Sequence, residues 1–253
     1  MSNRFLRRAN ASVIVQKLTA KAVLERKLIS EGDRVLVAAS GGKDSSVMAW
    51  ALSSLKRALK INYFLEALHI SSDFCACCKK SVLAARLEEW GVPFTDLSVP
   101  VVGRLKEGRK MNCYWCSTQR RTELIKYALE NGFNKIALGH HLDDIIETFF
   151  MNMTGKGTLS TMPMYLAYRK YPLSLIRPLG YLEERQIIAC AAEQNILKAA
   201  CTCPYGVNSR RRDIRERIAA FTGNSASVKR RILAALSSGA EDLLVEGDDG
   251  EAD

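Results

Sequence analysis

The sequence predicts an α/β protein with a doubly wound parallel sheet and small helical extensions. Three observations carry this expectation. Short apolar runs alternate with helical periods from residue 34 to about residue 155, the pattern of a parallel sheet covered by helices on both faces. A Gly-Gly turn joins the first run to the first of those helices. A second polar turn, Gly139-His140-His141-Leu142-Asp143-Asp144, follows a later run in the same way. Because ligands in such sheets bind beyond the carboxyl ends of the strands, both turns are expected at one edge.

Taken in order, residues 11–30 read as an amphipathic helix that ends before Glu31-Gly32-Asp33. The apolar run Arg34 to Ala39 suits a buried strand, and Ser46 to Lys60 a helix with Val47, Ala51, Leu55 and Leu59 on one face. Tyr63 to Ile70 is strand-like, Lys79 to Trp90 helical and Pro93 to Val99 strand-like. Thr118 to Asn131 is helical and closes on Gly132, a stop signal that tolerates the left-handed backbone. Lys135 to Leu138 gives a further strand and Asp144 to Met153 a further helix. Thr158 to Tyr171, rich in Met, Tyr and basic residues, reads as a loop. Helices resume at Leu182 to Asn195, Ser209 to Phe221 and Ser225 to Leu236. The expected organisation is an N-terminal helical segment (1–30), a nucleotide-binding domain (31–155), a C-terminal helical extension (156–240) and an acidic, disordered tail (241–253).

Composition narrows the function classes. No apolar stretch approaches the roughly 20 residues of a membrane span, and the basic start MSNRFLRRAN leads into a mixed helical pattern, not a signal sequence. A cytoplasmic protein is the expectation. The tail from Glu241 carries seven acidic residues and no basic ones, so the body holds 37 basic against 20 acidic residues. Such a surplus suits a polyanionic partner, because binding phosphates releases counterions. Eight cysteines exceed what packing needs, and their close pairs point to metal binding or redox chemistry rather than to structural disulfides.

The turn Ser40-Gly41-Gly42-Lys43-Asp44-Ser45 has the makeup of a phosphate site. Its glycines let several N–H groups face one anion at a helix N-terminus. Lys43 adds a point charge, and Ser40 and Ser45 add hydroxyl donors. A carboxylate beside phosphate, Asp44, makes sense if it holds magnesium. The spacing is not that of a Walker loop. It resembles the SGGKDS signature of the PP-loop ATP pyrophosphatases, which cleave ATP between the α- and β-phosphates. In the second turn, Gly139 and His140 would approach the nucleotide, and Asp144 would hold magnesium or orient the group attacking ATP. Helix capping by Asp143 or Asp144 is the alternative.

Cys113-Tyr114-Trp115-Cys116 is a CxxC pair, a spacing used in redox exchange, zinc and iron–sulfur sites. A third cysteine is available in Cys201-Thr202-Cys203-Pro204. Taken together in chain order, NCYWCSTQRR, IALGHHLDDIIETFFMNM, LIRPLGYLEER and CTCPYGVNSRRRDI resemble the TtcA family of tRNA thiolation enzymes. That resemblance implies a PP-loop fold and adenylation of a tRNA cytidine with ATP. It also implies a 4Fe–4S cluster, held by three cysteines, that carries sulfur to the C2 position. The implied ligands are Cys113, Cys116 and Cys203, the last chosen because it stands five residues before Asn208. The family shows C-x-x-C where this chain has C-x-C, which keeps Cys201 as a rival. Tyr165, Tyr168 and Tyr171 are candidates for stacking a splayed base. The basic runs Arg120–Arg121, Arg210–Arg217 and Lys229–Arg231 are candidates for gripping RNA phosphates. A sulfur donor such as a cysteine desulfurase is implied, and a homodimer is compatible. Cys75, Cys77 and Cys78 are read as small loop residues and Cys190 as core.

Overall fold

The computed structural model describes residues 10–74, 80–196 and 209–237. Cys75, Cys77, Cys78, Cys201, Cys203 and the acidic tail lie outside the described residues. Six strands form one sheet: β1 (Arg34–Ala38), β2 (Phe64–Ser72), β3 (Phe94–Val99), β4 (Lys135–Ala137), β5 (Tyr165–Ala167) and β6 (Ser174–Ile176). Their spatial order is β3-β2-β1-β4-β6-β5. All neighbours are parallel except the β5–β6 pair, which is antiparallel. The chain runs outward from β1 through β2 to β3, then returns to the other side of β1 with β4. The gap between the ends of β1 and β4 is therefore a topological switch point, where a crevice opens in doubly wound sheets.

Residues on both faces of β1 are buried, which explains its unbroken apolar run. Val35 and Val37 join a core with α1 (Ala11–Glu25), α2 (Lys43–Ala58), α5 (Leu142–Lys156) and α6 (Glu184–Glu193). Leu87 of α3 (Lys80–Glu89) joins that same core. Leu36 points the other way, into a smaller core with Leu68, Ile136, Leu175 and Leu124 of α4 (Cys113–Glu130). On the first face, α7 (Ser209–Thr222) and α8 (Ala226–Ser237) pack on α5. Cys190 of α6 is fully buried, with Ser12 Oγ of α1 3.8 Å from its Sγ, and burial pushes its thiol up to about 11.

The structure departs from the sequence expectations at several places; residues 174–176, given no element from the sequence, form β6 inside the sheet. Residues 165–167, expected in a loop, form β5, whose register with β6 is Tyr165 opposite Ile176. The strands are too short to show a period of two, and pairing with β4 through β6 defines them. α2 begins at Lys43 rather than Ser46, because the carbonyl of its N-cap, Gly42, accepts from the Ser45 and Ser46 hydroxyls. α4 begins at Cys113 rather than Thr118. Asn112 caps it, with Oδ1 accepting from the Trp115 amide at 2.8 Å.

Candidate active site

The first site turn rides on β1 and opens α2. Gly41 has φ +78, a left-handed backbone that glycine adopts without strain. The turn is braced internally: Ser40 Oγ and Ser45 Oγ lie 3.0 Å apart, and Ser45 Oγ also lies 3.1 Å from the Gly42 carbonyl. No side chain caps α2 at its N-terminus. The first amides of a helix have no intrahelical partner, so this end faces the crevice as an anion cradle.

The second turn follows β4 and leans on the first. A Cβ built on Gly139 would sit 3.0 Å from the Ser45 amide nitrogen and 3.2 Å from the Asp44 carbonyl carbon. Those neighbours are backbone and cannot swing aside, so glycine is a steric requirement here. Asp144 Oδ2 accepts from the His141 amide at 3.0 Å and so closes the start of α5. Asp143 is turned elsewhere. It accepts from the Glu184 amide at 2.7 Å and from Lys229 Nζ at 2.6 Å, tying α5 to α6 and α8. Burial alone would raise its pKa. The Lys229 hydrogen bond and the Glu184 amide outweigh burial and hold the carboxyl below its usual range.

Lys43 Nζ lies 2.9 Å from Glu184 Oε1 and 3.2 Å from Asp44 Oδ1. Burial would lower the pKa of this ammonium, but Glu184 and Asp44 together raise it, so Lys43 is charged. Asp44 Oδ1 is buried and, beside its ion-pair contact with Lys43 Nζ at 3.2 Å, accepts no hydrogen bond among the described residues. An acceptor oxygen of that kind, at the mouth of a phosphate cradle, suits a magnesium ion, which takes one or two carboxylates and completes its shell with phosphates and water. No cluster of three or more His, Cys, Asp or Glu side chains forms a metal site among the described residues.

Across the crevice, exposed Cys113 and half-buried Cys116 occupy the first turn of α4. A spacing of three places both on one helix face, the arrangement a shared metal ligand set needs. Trp115 between them anchors that turn, its indole N–H donating to the Val101 carbonyl at 3.0 Å. Between the phosphate turn and α4 lies a cavity of about 300 Å³. Ala38, Leu68, Ile70 and Leu138 make its apolar floor, and Ser40, Ser117, Arg120, Arg121 and His140 its polar rim.

Several of the basic residues assigned to RNA are paired with carboxylates, Arg217 with Asp213 at 3.2 Å among them. Arg215 pairs with buried Glu147 at 2.6 Å, and Lys229 is held by Asp143. Arg212, Arg217, Arg230 and Arg231 are exposed. Tyr165 donates to or accepts from Ser174 Oγ at 2.9 Å, while Tyr168 and Tyr171 meet edge to face. Sequence reasoning gave no role to Glu184 or His69. Glu184 lay inside the quoted LIRPLGYLEER segment, but its partner is 141 positions away. His69 on β2 is 1% exposed, its Nδ1 is 2.6 Å from the Ala39 carbonyl, and burial lowers its pKa.

A braced glycine turn, a second turn packed against it and an uncapped helix end at a switch point define a nucleotide-binding protein of the PP-loop class. The family described as a PP-loop domain matches residues 11–222, and the chain belongs to it, within the TtcA branch shown by its relatives. It is 37% identical over 199 residues to a tRNA-cytidine(32) 2-sulfurtransferase of Syntrophotalea carbinolica, covering 77% of this chain and 76% of that one. A protein of the same name from Geobacter metallireducens is 35% identical over 223 residues, covering 86% of each. Among solved structures, the U34-tRNA thiolase NcsA from Methanococcus maripaludis with its [4Fe-4S] cluster superposes with a TM-score of 0.73. That match is 23% identical and covers 96% of this chain and 81% of that one, a likeness of fold.

Proposed function

We propose that the protein is an ATP-dependent tRNA sulfurtransferase that forms 2-thiocytidine in the cytoplasm. The observation that carries this is the cavity between the phosphate turn and α4, lined on α4 by Ser117, Arg120 and Arg121, the turn that follows Cys113 and Cys116 in the same helix. Support comes also from relatives named tRNA-cytidine(32) 2-sulfurtransferase over most of the chain.

Ser40, Gly41, Gly42, Lys43 and Ser45 bind the ATP phosphates through backbone amides, hydroxyls and one ammonium. Asp44 and Asp144 would hold magnesium, which would supply charge neutralisation for the departing pyrophosphate. Gly139 and His140 flank the nucleoside end. The C2 oxygen of the base attacks the α-phosphorus, the α–β bridge breaks and pyrophosphate leaves, giving an adenylated base. Adenylation turns a poor leaving oxygen into AMP. Cys113, Cys116 and Cys203 would hold a 4Fe–4S cluster that, when bound, supplies the sulfur nucleophile displacing AMP. Arg120 and Arg121 lie where RNA phosphates would be gripped. Sulfur would come from a donor of the cysteine desulfurase class.

Anaerobic purification with iron and sulfide analysis, followed by nucleoside mass spectrometry of tRNA incubated with ATP, tests this. Four irons per chain and 2-thiocytidine are expected. Stoichiometric zinc without iron, or a thiolated uridine instead, would overturn it. Loss of the cluster in Cys201→Ala but not Cys203→Ala would reassign the third ligand.

A further inference from the structure

The mechanism leaves one side chain unexplained. Glu184, at the start of α6, is the nearest anion to the phosphate-turn lysine, yet a triphosphate arriving at Lys43 would be repelled by it. Its placement is not incidental. The Glu184 amide is fixed by Asp143 of the second site turn, so the motif that abuts the phosphate turn also holds this carboxylate in place. One carboxylate oxygen, Oε1, bonds Lys43 Nζ at 2.9 Å, and the other, Oε2, stands 3.8 Å from Arg215 Nη1. Arg215 is held at that distance by Glu147, 3% exposed, through contacts of 2.6 and 3.3 Å from Nε and Nη2.

Three charges therefore stand in series: Lys43 on α2, Glu184 on α6 and Arg215 on α7. Lys43 and Arg215 are the cations in ion-pair reach of Glu184 among the described residues. When Lys43 turns to phosphate, a half-buried carboxylate cannot be left uncompensated without a large penalty. Arg215 is placed to take that charge, because 3.8 Å closes to a hydrogen bond with a small side-chain movement.

Resting on the reading of Ser40–Ser45 as the phosphate site, we propose that Glu184 is a positioning residue that holds Lys43 before nucleotide binds and passes to Arg215 afterwards. The exchange links phosphate occupancy to α7.

The test is equilibrium binding of a non-hydrolysable ATP analogue with magnesium to the full chain, combined with amide exchange over residues 209–222. Glu184→Gln keeps the shape and removes the competing charge; it should bind the analogue about three- to tenfold tighter and lose the analogue-induced change in α7 exchange. Removing Arg215 would strand Glu147, so it is tested as the pair Glu147→Gln with Arg215→Met. That pair should weaken binding about tenfold when Glu184 is present and have little effect in the Glu184→Gln background. Unchanged or weaker binding by Glu184→Gln, or an equal effect of the pair in both backgrounds, would show that Glu184 only ties α6 to α2. Lys43→Ala separates the two readings: if it leaves wild-type affinity intact, the phosphate site itself is wrong.

Discussion

Two helices start at the edge of the crevice, and they start differently. α2 opens on Gly42 with no side-chain cap, whereas α4 opens on Asn112, whose side chain satisfies the Trp115 amide. An uncapped start leaves its amides and its dipole for an incoming anion. A capped start spends one amide internally and fixes a turn that displays two cysteines. In the proposed function the same element end would serve nucleotide activation on one side and sulfur chemistry on the other, according to which residue precedes it.

The largest effect should come from breaking the support of the α2 start. Gly139→Ala would drive a methyl into the Ser45 and Asp44 backbone and displace the phosphate turn. A misplacement approaching 1 Å costs on the order of 100-fold, so kcat/KM for ATP-dependent pyrophosphate release should fall by that order while the cluster is retained. Cys113→Ser should do the reverse, abolishing thiolation and iron content while nucleotide affinity stays within about twofold.

Next in size is the tie beneath the second turn. Asp143→Asn leaves half-buried Lys229 without its 2.6 Å partner and should cost about 2–3 kcal/mol in chemical denaturation at neutral pH. Asp143 has a folded pKa below its unfolded value. Its contribution is therefore present above the unfolded pKa and lost as pH falls through the folded one, and the Asp143→Asn variant should lack that acid-limb loss.

The cap on α4 should be worth less. Asn112→Ala should cost about 1 kcal/mol of stability and loosen the cysteine turn, seen as faster cluster loss in air at unchanged ATP affinity. His69 should show the mildest dependence. Its folded pKa lies below the ordinary value, so stability is full above about 6.5 and declines as pH falls toward the folded pKa; His69→Gln should flatten that decline in thermal melts.

Much of the fold was legible because β1 is an apolar run bounded by turn residues and β2, β3 and β4, though more mixed, alternate with helical periods. The two site turns were legible because their chemistry is contiguous in sequence. Other features depend on tertiary partners. β5 exposes Tyr165, Leu166 and Ala167 and gains its identity from pairing with β6. Cysteine, tyrosine and tryptophan are indifferent helix formers, so the early start of α4 is set by Asn112 and by the Trp115 anchor to Val101. Glu184 and Lys43 meet only because α6 returns to the switch point. An arginine in a basic run looks unpaired in sequence, and only the buried Glu147 beside it shows that Arg215 already holds a carboxylate.

The contact between Gly139 and the Ser45 backbone also bears on how this chain tolerates changes in length. Two turns in van der Waals register act as one body, so a single residue added to 39–42 or 138–141 should abolish soluble expression or ATP use. The exposed stretch 106–110, which leads to the cysteine turn, should accept several added residues. Natural variation and engineered fusions should therefore accumulate on the sulfur side of the crevice and leave the nucleotide side at fixed length.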